Sequence, residues 1–221
     1  MSLQDDPAFA RARKRLYELL AAVFDGDVEV LARAIREGAF VDVAETLPVD
    51  LDTEALARTD LDEEALEIGY DNLFEVPGPH YVPPFASAHA DEPSTDYESD
   101  SAYHEAGEAG ELFGDPAESM SELHVRADFE PERGEGIPDH LAAEFEFMAA
   151  LATTEAHALE DEADVTVADV RDLEREVLEH LDWVENFADA VRENDSAEGL
   201  FAELASFSRG FVAWDRAQIR D

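Results

Sequence analysis

Pro138-Asp-His-Leu-Ala-Ala-Glu-Phe-Glu-Phe-Met-Ala-Ala-Leu-Ala-Thr-Thr-Glu-Ala-His-Ala-Leu159 is the stretch that decides the fold class. Leu141, Phe145, Met148, Ala152 and Leu159 recur three, four or seven residues apart, which is one face of a helix, and Pro138 suits a helix start. Toward the C-terminus, Thr166 can cap a helix with Val170, Leu173, Val177, Leu181, Val184 and Val191 inward. Ser196 can start a last one, with Leu200, Leu204, Phe207 and Phe211 inward. No run alternates with period two and no internal repeat is visible. The pattern predicts an all-α protein, a single helical bundle domain over residues 1–221.

The other half of the chain agrees with this. Asp5 or Asp6 caps a first helix, Pro7 sits in its first turn, and Leu16, Leu19, Leu20, Val23 and Phe24 form its stripe up to Gly26. A second helix runs from about Val28 to Gly38. Asp60 and Glu63 read as the capping pair of a third, which passes through Leu66, Tyr70, Leu73 and Phe74 until Pro77 breaks it. Residues 76–100 hold Pro77, Pro79, Pro83, Pro84 and Pro93, and are expected to be a long loop or hinge of functional use. Short helices are expected at Tyr103–Phe113 and Pro116–Arg126. Between Arg133 and Ile137, Gly134 and Gly136 suggest a flexible loop.

Charge excludes whole classes of partner. The 221 residues hold 15 Lys+Arg against 56 Asp+Glu, a net charge of −41. Phosphate-driven nucleic-acid binding and polybasic attachment to anionic lipid both need the opposite sign. Lys14 is the only lysine; every other basic residue is arginine. Acid excess on this scale, without acidic low-complexity tracts, fits a protein working in concentrated salt. There the Debye length falls to about 3 Å and self-repulsion is screened. With no cysteine, disulfides, thiolate metal sites and cysteine nucleophiles are excluded together. Met1 to Arg15 has no apolar stretch of signal-peptide length, so a cytoplasmic protein without membrane insertion is expected.

Catalytic motifs are missing. Lys14 follows no glycine-rich loop, no histidine belongs to a Glu-x-x-His pair, and neither His-Glu-x-x-His nor Gly-x-Ser-x-Gly occurs. One cluster stays open. His140 and Glu144 are four apart on one helix face, so a metal-dependent helical-bundle enzyme using both is one alternative. The other is structural: Asp139 complements a helix N-terminus and His140 bonds a neighbouring loop. Tyr17, Trp183 and Trp214 lie on or beside apolar stripes and read as core before recognition surface. The acid-rich stretch Asp91 to Glu111 reads as a solvated face.

Two segments carry a resemblance. Tyr70-Asp71-Asn72-Leu73-Phe74-Glu75-Val76-Pro77-Gly78-Pro79, continuing to Pro84-Phe85-Ala86-Ser87, resembles the Tyr-x-x-Leu-Phe-x-x-Pro-Gly…Pro-Tyr-x-Ser signature of the TorD/DmsD redox-enzyme maturation chaperones. Pro138-Asp139-His140 with Glu144-Phe145-Glu146-Phe147-Met148 is similar to that family's Pro-Asp-His…Glu-Leu-x-Phe-Met segment. Arg13-x-x-x-Tyr17-x-Leu19-Leu20 and His180-Leu181-x-Trp183 fall in the same order. Phe85 replaces the usual tyrosine, and Ala88-His89 the usual Val-Tyr. The resemblance implies an all-helical protein without a cofactor of its own. Its partner would be the precursor of a molybdopterin oxidoreductase catalytic subunit, of dimethyl sulfoxide or trimethylamine N-oxide reductase type, held by its twin-arginine leader until the molybdenum cofactor is inserted. The peptide-binding residues it implies are Tyr17, Pro77, Pro84, Phe85, Ser87, Pro138, Asp139 and His140, with Asp139 receiving an arginine or a backbone N–H. A monomer, or a dimer that exchanges helices, would suit such a chain.

Overall fold

The computed structural model describes residues 3–46, 51, 53–58, 60–89, 114–160, 165–195 and 199–219. Helix α1 (Pro7–Phe24) starts where the Asp6 carboxylate accepts the Ala8 N–H at 2.9 Å and Pro7 needs no N–H partner. It stops at Gly26, which turns the chain at φ +89°. Helices α2 (Val28–Arg36) and α3 (Ala39–Thr46) follow, then α4 (Glu63–Tyr70) and α5 (Asp115–Arg126). The C-terminal half holds α6 (Leu141–Leu159), α7 (Val167–His180), α8 (Val184–Asn194) and α9 (Leu200–Ile219). Among the described residues there is no strand, and a lone antiparallel bridge joins Phe85 to His140. No helix among them is long and apolar enough to cross a membrane.

The most extensive packing is α1 against α6; α7 packs on both α6 and α9, and α8 pairs with α9. Aromatic side chains fill the space between. Phe24 meets Phe74, Phe145 and Phe187 at centroid distances of 6.1, 6.1 and 5.9 Å, and Tyr17 meets Phe211 at 4.9 Å. These rings are all buried, as the stripes of α1, α6 and α9 require.

One charged cluster is buried with them. Arg13 donates to Asp215 (2.7 and 3.0 Å) and to Glu155 (2.7 Å), and lies 3.1 Å from Glu174. Tyr17 adds its hydroxyl to Asp215 at 2.7 Å, and Arg171 donates to the other oxygen of Glu155 at 2.7 Å. The cluster ties α1, α6, α7 and α9 at one point.

Several elements differ from the sequence expectation. The cap of α4 is Asp62, which accepts the Ala65 N–H at 3.2 Å, while Asp60 pairs with Arg58. The expected helix from Thr166 to Val191 is two, because a 3₁₀ turn at Leu181–Trp183 separates α7 from α8. The Thr166 cap itself forms, as a reciprocal capping box with Asp169. The 133–137 loop is not loose. Asp25 holds the Gly134 N–H at 2.9 Å and the Arg133 guanidinium at 3.0 Å, and Glu146 accepts the N–H groups of Glu132 and Arg133. The expected helix at Tyr103–Phe113, the acidic stretch Asp91–Glu111 and the Ser196 start lie outside the described residues, as does the second half of the 76–100 connection.

Candidate functional site

The first wall of the site grows from the end of α4. There Asp71–Glu75 widen into a π-helical turn, closed by the Val76 N–H on the Asp71 carbonyl at 2.8 Å. Tyr70 anchors this turn, its hydroxyl donating to the Phe24 carbonyl at 2.8 Å. Pro77 ends it. The chain then doubles back, and the Val82 N–H reaches the Leu73 carbonyl at 2.6 Å.

The second wall joins this return to α6. The Leu141 N–H donates to the Pro84 carbonyl at 2.8 Å, and the Ala86 N–H donates to the Asp139 carbonyl at 2.9 Å. Behind the wall the Asp139 carboxylate accepts both the Ser87 N–H (2.7 Å) and the Ser87 hydroxyl (2.6 Å) through one oxygen. His89 closes the segment, donating from Nε2 to the Pro83 carbonyl at 2.8 Å and stacking on Trp183 at 5.5 Å.

Between the walls lies a cleft of about 270 Å³, lined by Phe24, Asp25, Tyr70, Phe74, Glu75, Tyr81, Pro84, Phe85, Glu135, Ile137 and His140. Its floor is aromatic and its rim acidic. Asp25 is engaged by Arg133 and Gly134, whereas Glu75 and Glu135 meet no cation among the described residues. Burial raises the Glu75 carboxyl above its ordinary range, and the nearby Asp71 and Glu135 charges push the same way. His140 caps α6 by accepting the Ala142 N–H at Nδ1, 3.1 Å away, so the neutral ring carries its proton on Nε2. Burial holds it neutral, lowering its pKa to about 4 against the opposing pull of Asp25 and Asp139.

Glycine 134 is the point where the rim meets His140. It adopts φ +77°, and a Cβ there would lie 2.8 Å from the His140 Cβ and 3.1 Å from the Ala143 Cβ. Gly134→Ala is expected to destabilise the fold by about 2–3 kcal/mol, combining left-handed strain with overpacking against helix atoms. A chemical-denaturation midpoint equal to wild type would show that the turn is free to move away.

The structure brings some expected residues together and separates others. Pro84, Phe85 and His140 line the cleft. Pro138 turns the other way, into a groove beside Ala117 and Val125 of α5. Pro77 is exposed at the end of the π-helical turn, outside the lining. Ser87 and Asp139 meet behind the wall. Asp139 and Tyr17 are fully buried, the latter on Asp215, and neither lines the cleft.

The pairing of His140 with Glu144 is also not formed. Glu144 is buried and paired with His180 Nδ1 at 3.2 Å, with Trp183 Nε1 at 3.4 Å. Burial opposes the charge on His180, yet the Glu144 carboxylate beside Nδ1 and the Pro116 carbonyl at Nε2 raise its pKa to about 9. Among the described residues no group of three or more His, Asp or Glu is placed to hold a metal ion. The cleft residues that sequence reasoning missed are Asp25, Glu75, Tyr81, Glu135 and Ile137. Glu75 falls at an unspecified position inside the quoted motif, and Glu135 sits between two glycines while itself adopting φ 54°.

The family described as the nitrate reductase delta subunit matches residues 31–189. The chain belongs to this family. The span that matches the nitrate reductase delta subunit family runs from α2 into α8, so it contains both walls of the cleft but not Tyr17. Among solved structures, the chain is similar to a crystal structure described as a redox enzyme maturation protein from Archaeoglobus fulgidus. The identity is 22%, covering 95% of this chain and 94% of that chain, with a TM-score of 0.48. No curated protein matches the chain.

Proposed function

We propose that this protein is a cytoplasmic maturation chaperone for a molybdopterin-dependent oxidoreductase, and that it holds the twin-arginine leader of the precursor in the cleft. Membership of the nitrate reductase delta subunit family supports the general role. The observation that carries the finer reading is the lining of the cleft. Two segments fifty residues apart, 70–85 and 135–140, supply one small cavity with aromatic faces and with two carboxylates that meet no cation among the described residues.

Such a cavity suits a basic residue next to an apolar one. A guanidinium can fork onto the Glu75 or Glu135 carboxylate and stack on Tyr81 or Phe85, which an ammonium does less well. Apolar side chains that follow it gain about 25 cal/mol for each Å² they bury. His140 offers one neutral N–H donor to a backbone carbonyl at the same place. In molar salt the long-range attraction between a −41 chain and a basic leader is screened. Affinity then rests on these short contacts.

The expected result is that the purified protein captures leader-bearing precursor from solution in molar KCl, and captures the leaderless form at least tenfold less. It should show no redox or hydrolytic turnover of its own. Equal capture of the two forms, or capture of neither, would sink the leader as the ligand.

A further inference from the structure

We infer that Asp139 is the positioning residue of the cleft. It sets the affinity for the leader by fixing the Pro84–Phe85 wall through Ser87, without touching the ligand. This rests on the leader-binding reading above.

The wall has no element of its own to hold it. Residues 82–89 form neither a helix of any length nor a paired strand, beyond the single bridge of Phe85 with His140 and one 3₁₀ turn at Ala86–Ala88. Besides the Val82 bond to Leu73 and the Asn186 bond to the His89 carbonyl at its two ends, three ties hold the segment to the 139–141 corner. Two are backbone bonds, from Leu141 to Pro84 and from Ala86 to Asp139. The third is the Asp139 carboxylate, which takes both donors of Ser87 at 2.7 and 2.6 Å. A carboxylate receiving two such bonds is charge-assisted and stronger than either backbone tie.

The burial of Asp139 separates holding from contact. Its side chain is fully buried, and its second oxygen finds no hydrogen-bond partner among the described residues. A carboxylate kept in that state costs free energy, so its retention needs a gain elsewhere. That gain is the wall: Pro84 and Phe85, three and two residues before Ser87, face the cleft, whereas Asp139 and Ser87 do not line it. His89, two residues after Ser87, is in turn pressed on Trp183. Cutting the Asp139 tie releases a segment anchored at both flanks and leaves the floor of Phe24, Tyr70 and Phe74 unchanged.

Two readouts test this, one of them independent of any ligand. The variants are Asp139→Ala, Asp139→Asn, Ser87→Ala and the Asp139→Ala/Ser87→Ala pair. The probe is a synthetic peptide with an Arg-Arg pair followed by an apolar stretch, titrated in molar KCl. Amide exchange is followed in parallel over residues 82–89. Asp139→Ala is expected to weaken peptide binding at least tenfold and to speed exchange at Ser87. Asp139→Asn keeps an acceptor oxygen at the same reach, so it should bind within about threefold of wild type. The double variant should match Asp139→Ala alone, since both cuts sever one tie.

If the asparagine variant falls as far as the alanine, the negative charge itself is recognised and the positioning role is wrong. Additive losses in the double variant would overturn it equally. Should wild type fail to bind the peptide while Asp139→Ala still speeds exchange at Ser87, the leader reading fails and the tie stands. Unchanged exchange in Asp139→Ala refutes the tie whatever the binding does. If Asp139→Ala does not fold, the Ser87→Ala and Asp139→Asn variants decide: the first should weaken binding and speed exchange in part, the second neither.

Discussion

Replacing Arg13 with methionine is expected to lower the thermal midpoint by about 10 °C or more. Arg13 is 3% exposed and is the cation on which Asp215, Glu155 and Glu174 converge. Methionine fills much of the same volume but leaves buried carboxylates without their partner. Removing one member of a buried ion pair typically costs about 3–5 kcal/mol. In a chain of this size each kcal/mol moves the midpoint by about 2–4 °C. Lys14→Ala, one residue away, is the control. Its half-exposed pair with Glu18 contributes at most a few tenths of a kcal/mol, so that variant should melt with wild type. Coincident melting of all three proteins would mean that the cluster is neutral to the fold.

The same cluster predicts a stability that falls as pH rises. It sets the cations Arg13 and Arg171 against three buried carboxylates, Glu155, Glu174 and Asp215, with the exposed Asp5 3.7 Å from Arg171 at its edge. Keeping a proton on one of the three balances the count. Glu174 is the one: burial raises its pKa to about 8, the Glu155 and Asp215 charges add to that, and Arg13 only partly opposes it. A carboxyl whose folded pKa lies above its unfolded value binds a proton on folding. Between the ordinary carboxylate pKa and about 8 the native state therefore holds a proton that the unfolded chain has lost. Stability contributed by this group is complete below that window, declines as pH rises through it, and is level above it. Glu174→Gln, which has no proton to lose, should melt near wild type at pH 5 and several degrees higher at pH 8. A wild-type midpoint independent of pH over this range, with the glutamine variant lying parallel to it, would refute the assignment.

The architecture was largely legible because the signals that produce it are local. Asp6, Pro7 and Gly26 bracket α1, and Leu16, Leu20 and Phe24 mark its buried face. Where two local signals compete, reading fails. Asp60 and Asp62 both precede acidic residues, and Arg58, by pairing with Asp60, leaves the cap to Asp62. The break between α7 and α8 left no trace in the pattern. Leu181, Val184, Phe187 and Val191 keep helical spacing across the 3₁₀ turn, so the apolar stripe stays in phase while the backbone tightens. Helix α3 was invisible for the opposite reason: Phe40 is its lone fully buried side chain, too little to set a period.

The cleft was half legible. The motif segments name residues that belong together, and Pro84, Phe85 and His140 do meet. They carry no information on which side chains face the cavity. Asp139 points away from it to Ser87, and Tyr17 to Asp215, because each buried polar atom must find a donor or acceptor wherever the tertiary packing offers one. Glu75, Glu135 and Asp25 come from three separate turns, and only the assembled bundle puts them on one rim.

Arg13 and Asp215 are separated by 202 residues of chain. At a synthesis rate of about 5–20 residues per second, the arginine leaves the ribosome roughly 10–40 seconds before its principal partner exists. During that interval α1 has neither the Asp215 clamp nor the Phe211 ring that packs on Tyr17. The bundle therefore cannot close around Arg13 and Tyr17 until α9 has been made, and a nascent chain that stops at α8 still lacks one wall of its core.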